Sequence, residues 1–300
     1  MRDVITFSDD CEYYDENEET ENDMINKKKT IQEVSEYHTR GGCFVPSMPV
    51  SATPKLPAGV YKVSQVGFDL GFQPVSISTD TLIRSGNSSA KEVISEIDRF
   101  WTLEEKYRKY GFIHKRGFLL HGPPGTGKTS TLNHVMSDTI EKDGVVIMAP
   151  EDPNGLSLML TSFRAIEPTR QLVVVMEDLD NLLRFGESQL LALLDGDTSI
   201  GGVVYIATTN YLSRIPERIS NRPSRFDKII EIGAPNAEMR REYLKSRGVC
   251  KNDLTLDLWV RRSKGLSMAH LKELIVAVSI LDGDLEAEIK RLRGKDLTDE

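Results

Sequence analysis

The chain has 300 residues, 39% apolar and 28% charged, a composition that can bury a large core and excludes collagen-like and low-complexity chains. The net charge of −8 is concentrated at one end, because residues 1–23 carry ten acids and a single base, Arg2. The body is therefore close to neutral, which argues against nucleic acid as a partner.

Residues 1–29 have few large apolar groups and read as an acidic, disordered tail. Residues 30–88 read as a small N-terminal region of unknown role. Within it Pro46, Pro49, Pro54 and Pro57 suggest a stiff linker, and Val60–Val66 and Phe72–Ile77 suggest short strands. Ser89-x-x-Glu92 is a capping-box pattern and opens a helix that should end before Gly111, with Val93, Ile97, Phe100 and Trp101 on one face. Strands and helices then alternate. Strands are predicted at Gly117–His121, Val145–Ala149, Leu172–Met176, Gly202–Ala207 and Ile229–Ile232, and helices at Lys128–Asp138, Leu156–Ile166 and Glu187–Leu194. Wholly apolar strands alternating with helices predict a parallel sheet covered on both faces. From Asn236 only helices follow, the clearest being Leu266–Leu281 with Leu271, Leu274, Ile275 and Val278 on one face. The expected organisation is an α/β core over 89–235, a small helical lid over 236–281 and a tail over 282–300.

Three cysteines, Cys11, Cys43 and Cys250, are odd in number and far apart, which gives neither a disulfide framework nor a zinc spacing. No apolar run approaches the ~20 residues of a membrane span, and the acidic N-terminus is the opposite of a signal or transit peptide. The expectation is a cytoplasmic protein with no membrane contact.

Gly122-Pro123-Pro124-Gly125-Thr126-Gly127-Lys128-Thr129 matches G-x-x-x-x-G-K-[ST] between a predicted strand and a predicted helix. Glycines there let backbone N–H groups close on phosphate oxygens, and the helix N-terminus adds partial positive charge. Lys128 should reach the β- and γ-phosphates, and Thr129 should bind Mg²⁺. The apolar strand Leu172–Met176 ends in Glu177-Asp178, which would supply one carboxylate to the Mg²⁺ shell (Glu177) and a second to the attacking water (Asp178). Asn210 ends the next strand, where it would lie beside the γ-phosphate and orient the water. Arg222 and Arg225 are three residues apart, and guanidinium forks suit the charge on a transferring phosphoryl group.

In this order the motifs resemble the AAA family of ATPases over about residues 89–281. Gly122–Thr129 is similar to its Walker A, Glu177-Asp178 to its Walker B, though in inverted order, and Asn210 to its sensor 1. Ile215-Pro216-Glu217 through Arg222-Pro223-Ser224-Arg225-Phe226-Asp227 resembles the family's second region of homology, in which the two arginines are fingers reaching a neighbouring subunit. Leu190–Gly196 also looks family-like, and Gly265-Leu266-Ser267 resembles the start of the lid helix near the nucleotide. Within the family the resemblance is greatest to the branch of the mitochondrial Rieske-inserting chaperone and to bacteriophage-encoded AAA proteins. The resemblance implies a P-loop NTPase that uses ATP and Mg²⁺, forms a homo-oligomeric ring and remodels an unidentified protein partner. The alternative is an ATP-gated assembly factor with little turnover, which the inverted carboxylates favour.

The segment from Pro150 to Gln171 contains one aromatic residue, Phe163, in register with Leu156, Met159, Leu160 and Ile166. That spacing places Phe163 in a core and leaves no aromatic grip for an extended chain.

Overall fold

Each central strand is apolar throughout because it feeds two cores at once. In the computed structural model Leu119, Ile147, Val174 and Tyr205 enter one core, while Phe118, Val146, Val173 and Val204, the residue before or after each of them, enter another on the opposite face. A period of two along a strand buried on both sides requires this. The structure describes residues 36–40, 43–47, 52–66, 69–76, 88–150, 155–195, 200–220, 222, 225–250 and 252–295. The expected acidic tail, 1–29, lies outside them.

The chain divides into two units, 1–54 and 55–300. In the first, β1 (Glu36–Arg40) and β2 (Cys43–Ser47) form an antiparallel hairpin. Pro46 pairs with Tyr37 inside this hairpin, so it is strand rather than linker.

The second unit holds a seven-stranded sheet of β3 (Gly59–Val66), β4 (Asp69–Val75), β5 (Lys115–His121), β6 (Val145–Met148), β7 (Leu172–Met176), β8 (Val203–Thr209) and β9 (Lys228–Glu231). The order is β4-β3-β6-β7-β8-β5-β9, parallel except for the β3–β4 pair. Helices α1 (Ser88–Trp101) and α3 (Lys128–Glu141) cover one face through Val93, Ile97, Leu132 and Val135. Helices α4 (Leu156–Ile166) and α5 (Leu179–Asp195) cover the other through Leu156, Leu160, Phe163 and Leu190. Phe163 is 1% exposed and meets Phe72 of β4 edge to face, which is the core position its register predicts. The sheet starts at Gly59, so β3 and β4 belong to the core rather than to a region ending at residue 88.

Several boundaries differ from expectation. The helix opened near Ser89 stops at Trp101, where Thr102 turns its hydroxyl back to the Arg99 carbonyl, and α2 (Glu104–Lys109) starts afresh. Helix α5 begins immediately after Asp178, well before Glu187, and is interrupted by a non-helical Gly186. The lid comprises α7 (Ala237–Ser246), α8 (Asp253–Arg262), α9 (Met268–Ile275), a π-turn (Val276–Ile280) and α10 (Leu285–Lys295), with α6 (Glu217–Ser220) preceding β9 in the core. The last lid helix falls in the expected tail, yet Ile289 and Leu292 are buried with Leu244, Trp259 and Leu274. Buried Arg240 ties the lid together, donating to the carbonyls of Pro235 and Val260.

Candidate nucleotide-binding site

Strands β7, β8 and β5 are neighbours, so their carboxyl ends place three sequence-distant segments side by side. Ligands in parallel sheets collect at such strand ends. A cleft of about 570 Å³ opens there. Its core wall is Pro124–Ser130, His134, Glu177, Asp178, Thr208 and Asn210, and its lid wall is Met239, Tyr243, Arg247, Met268, Ala269 and Lys272.

The loop after β5 is built for phosphate. Gly127 caps α3 with φ 111°, a left-handed conformation that side chains resist. The helix N-terminus thereby points its free N–H groups into the cleft. Lys128 is only 7% exposed, and its ammonium donates to the carbonyls of Gly122 (2.7 Å) and Pro123 (2.9 Å). Desolvation lowers its pKa, while the Asp178 carboxylate pulls it back up. Pro123 also accepts from Thr126 Oγ1 at 2.9 Å, which closes the loop on itself. Gly122 and Pro123 therefore hold the Lys128 ammonium through their carbonyls, and Pro124 to Thr129 line the cleft.

Glu177 and Thr129 line the same cleft. Desolvation and the adjacent Asp178 carboxylate push the Glu177 pKa up, and the nearby Thr129 hydroxyl opposes them. Among the described residues Asp178 is one of three non-glycine residues with positive φ, at 48°. Such a backbone costs about 1–2 kcal/mol and is tolerated best by Asn and Asp. Its N–H donates to Thr208 Oγ1 at 3.2 Å, and its carbonyl starts α5 by accepting from Asn181. Thr209 Oγ1 donates to Asp180 Oδ1 at 3.0 Å and accepts from the Tyr211 N–H, so the turn carrying Asn210 is held from both sides. A hydroxyl and two carboxylates form an oxygen donor set suited to Mg²⁺ completed by phosphate oxygens, and the loop N–H groups suit the phosphates themselves.

The two arginines do not line this cleft, and the structure separates them. Arg225 is 4% exposed and forks onto Asp195 with Nε–Oδ1 at 2.6 Å and Nη2–Oδ2 at 2.5 Å, while also donating to the Arg218 carbonyl. This fork holds the Asp195 carboxyl below the usual range. Arg222 has a side chain 59% exposed and only a 3.6 Å contact with Asp195. Within the chain the two differ: Arg225 is committed to Asp195, and Arg222 is the exposed guanidinium. Gly117 allows this packing, since a Cβ there would lie 2.0 Å from the Arg225 carbonyl oxygen.

The lid contacts were not legible in sequence apart from Ser267. Its side chain caps α9 by accepting from the His270 N–H, and the Ala269 N–H donates to the Gly125 carbonyl at 3.2 Å. Met239, Tyr243, Arg247 and Lys272 carry no motif, and only the fold brings them to the cleft.

Sequence comparison matches residues 118–234 to the ATPase family associated with various cellular activities (AAA). The ATP-dependent zinc metalloprotease FtsH 2 of Thermoanaerobacter sp. (strain X514) is 31% identical over 211 residues, 63% of this chain and 41% of the relative. The proteasome-activating nucleotidase of Aeropyrum pernix is 31% identical over 192 residues, 57% and 46% of the two chains. A cell division cycle protein 48 homolog of Archaeoglobus fulgidus is 32% identical over 156 residues, 47% and 21% of the two chains. The chain thus spans less than half the length of each of these relatives. The similarity to the AAA family is carried by residues 118–234, the stretch that builds the core wall of the cleft.

Proposed function

We propose that this chain hydrolyses ATP as an oligomeric ring and uses the cycle to remodel a protein partner. The observation that carries the reading is the meeting of Lys128, Thr129, Glu177, Asp178 and Asn210 at three adjacent strand ends beneath a lid. Bound Mg²⁺ supplies charge neutralisation between the terminal phosphates. Lys128 holds the β- and γ-phosphates, and the backbone of Gly125–Thr129 fixes the chain of phosphates. Thr129 and Glu177 orient the metal side of the site. Asp178, set by its own strained backbone, aims a carboxylate at the attacking water, and Asn210 positions that water.

Arg222 lies outside the cleft of its own chain and is open to solvent, which supports its use in a neighbour's site. That division of labour requires a ring, a hexamer or heptamer in this reading. The finer placement in the branch of the Rieske-inserting chaperone and phage proteins rests on the Glu-Asp order and the short segment before β7. The burial of Phe163 supports a ring that moves or reshapes a folded partner rather than threading a chain. Residues 151–154, expected to offer no apolar grip, lie outside the described residues. Among the described residues no helix is long and apolar enough to cross a membrane.

A second reading, an ATP-gated assembly factor with little turnover, is favoured by the raised pKa of Glu177 and the inverted pair. Steady-state phosphate release with Mg²⁺, with and without DNA, alongside sizing with and without ATP, separates the readings. Turnover with an ATP-dependent oligomer supports the proposal. An oligomer without turnover supports the assembly factor. DNA-stimulated turnover contradicts both.

A further inference from the structure

The strands that build the nucleotide cleft at their carboxyl ends border a second cavity at their amino ends, of about 290 Å³. Gln171, Gly202 and His114 immediately precede β7, β8 and β5, and all three line it, with Trp101, Glu104 and Arg164 adding to the wall. No residue of the phosphate-loop, carboxylate or arginine motifs reaches it.

Two buried atoms of these side chains, His114 Nδ1 and Arg164 Nε, have no hydrogen-bond partner among the described residues. His114 is 8% exposed and its ring is fixed. It stacks on Phe100 with centroids 3.9 Å apart, and Trp101 and Tyr107 meet it edge to face. Its Nε2 lies 2.9 Å from the Phe100 carbonyl, which can only accept, so Nε2 carries the proton and Nδ1 of the neutral ring is an acceptor. Arg164 uses Nη1 and Nη2 on the carbonyls of Glu167, Pro168, Arg170 and Gly202, which leaves its Nε–H as a donor. Buried polar groups left unmet are costly, so this pair calls for a partner.

The wall presents little net charge, because Arg170 is paired with Glu167 and the nearby Glu104 carboxylate offsets Arg164. An anion gains little there. A water, with a share of about 30 Å³ in the liquid, fills a small part of the space. We propose that this cavity binds a small neutral carboxamide, whose NH₂ donates to His114 Nδ1 and whose carbonyl accepts from Arg164 Nε. A primary amide carries both functions in one plane, which suits a site bordered by the Trp101 and His114 rings.

The test is titration of the full chain with benzamide, benzoate and benzyl alcohol, followed through the imidazole nitrogens of ¹⁵N-histidine-labelled protein. Of the five histidines, His114 is the one whose signals vanish in His114→Phe. Benzamide should bind saturably and shift the His114 Nδ1 signal. Benzoate, which has no donor, should bind at least about tenfold more weakly. His114→Phe keeps a ring against Phe100 and should weaken benzamide about tenfold. Gly201→Phe should abolish binding at an unchanged melting temperature. Gly201 lines the cavity, a Cβ there meets nothing within 4 Å, and its backbone is outside the left-handed region, so the new ring fills the space without displacing a wall. Benzoate or benzyl alcohol binding as tightly as benzamide overturns the proposal, as does benzamide binding that survives Gly201→Phe. A His114 signal unmoved at the highest soluble benzamide concentration also overturns it and leaves the cavity to water.

Discussion

The two ends of the sheet treat charge in opposite ways. At the amino ends of the strands, Arg164 donates to the carbonyls of Glu167, Pro168, Arg170 and Gly202. Arg170 grips Glu167 Oε2 at 2.6 Å, the Leu56 carbonyl and the Asp143 carbonyl, and Glu167 accepts from the Leu56 N–H. Arg170 and Glu167 side chains are each 7% exposed, and together they staple the start of the second unit to the sheet. At the carboxyl ends, Glu177 and Asp178 face the cleft side by side, Asp178 on a strained backbone, and Lys128 is held only by loop carbonyls. Charges whose partners are all supplied by the chain hold it together. Charges aimed at a cavity, at some cost, are the ones available to a ligand.

The arginine segment repeats the contrast on a small scale and gives the largest expected effect. Arg222→Ala should lower turnover by about 10³–10⁵-fold while nucleotide affinity and melting temperature stay near the parent. Arg225→Ala should behave differently, lowering stability by about 1–3 kcal/mol because Asp195 loses its fork. Single-turnover kinetics and thermal melts on both variants check this. Equal stability losses in the two variants would erase the distinction between them.

Arg170→Met probes the stapled end. Removing one partner of a buried pair should cost about 3–5 kcal/mol, and urea unfolding measures it. The nucleotide affinity of the remaining folded protein should be unchanged, because no atom of this network lines the cleft.

The smallest effect is expected at Glu177. Its folded-state pKa lies above its unfolded value, so the folded chain holds a proton more tightly across that window. Stability therefore falls as pH rises through the window, and above it the ionised carboxylate is a net cost. Glu177→Gln should raise the melting temperature of the nucleotide-free protein at pH 8, with the gain vanishing as pH falls below the usual carboxylate range. The same change should weaken Mg²⁺-dependent nucleotide binding. A lower melting temperature at pH 8 would contradict the assignment.

The legible parts of the molecule are those in which local pattern and tertiary role coincide. Leu172–Met176 is apolar at every position because it is buried at every position, and Lys128 follows a glycine motif whose geometry is local. The kink at Gly186 hid the first half of α5, since a break in the helical register breaks the periodicity by which helices are read. Membership of β3 and β4 in the central sheet depends on β3 pairing with β6, more than eighty residues away, and no local pattern encodes that partner. Arg222 and Arg225 look equivalent in sequence, and what separates them is Asp195 at the end of α5, thirty residues before Arg225. The lid residues at the cleft were invisible for the same reason: Tyr243 and Lys272 are ordinary helix residues until the lid folds over the loop.

The account turns on whether the cleft charges serve a ligand rather than the fold. Titration of Mg²⁺-ATP onto the parent and Lys128→Ala, with a thermal melt of each, decides this most directly. The predicted result is saturable binding by the parent, a loss of at least about 10²-fold in Lys128→Ala, and a melting temperature within roughly 2–4 °C of the parent, a change of about 1 kcal/mol. Equal affinity in the two proteins, or a stability loss as large as that of Arg170→Met, would contradict it.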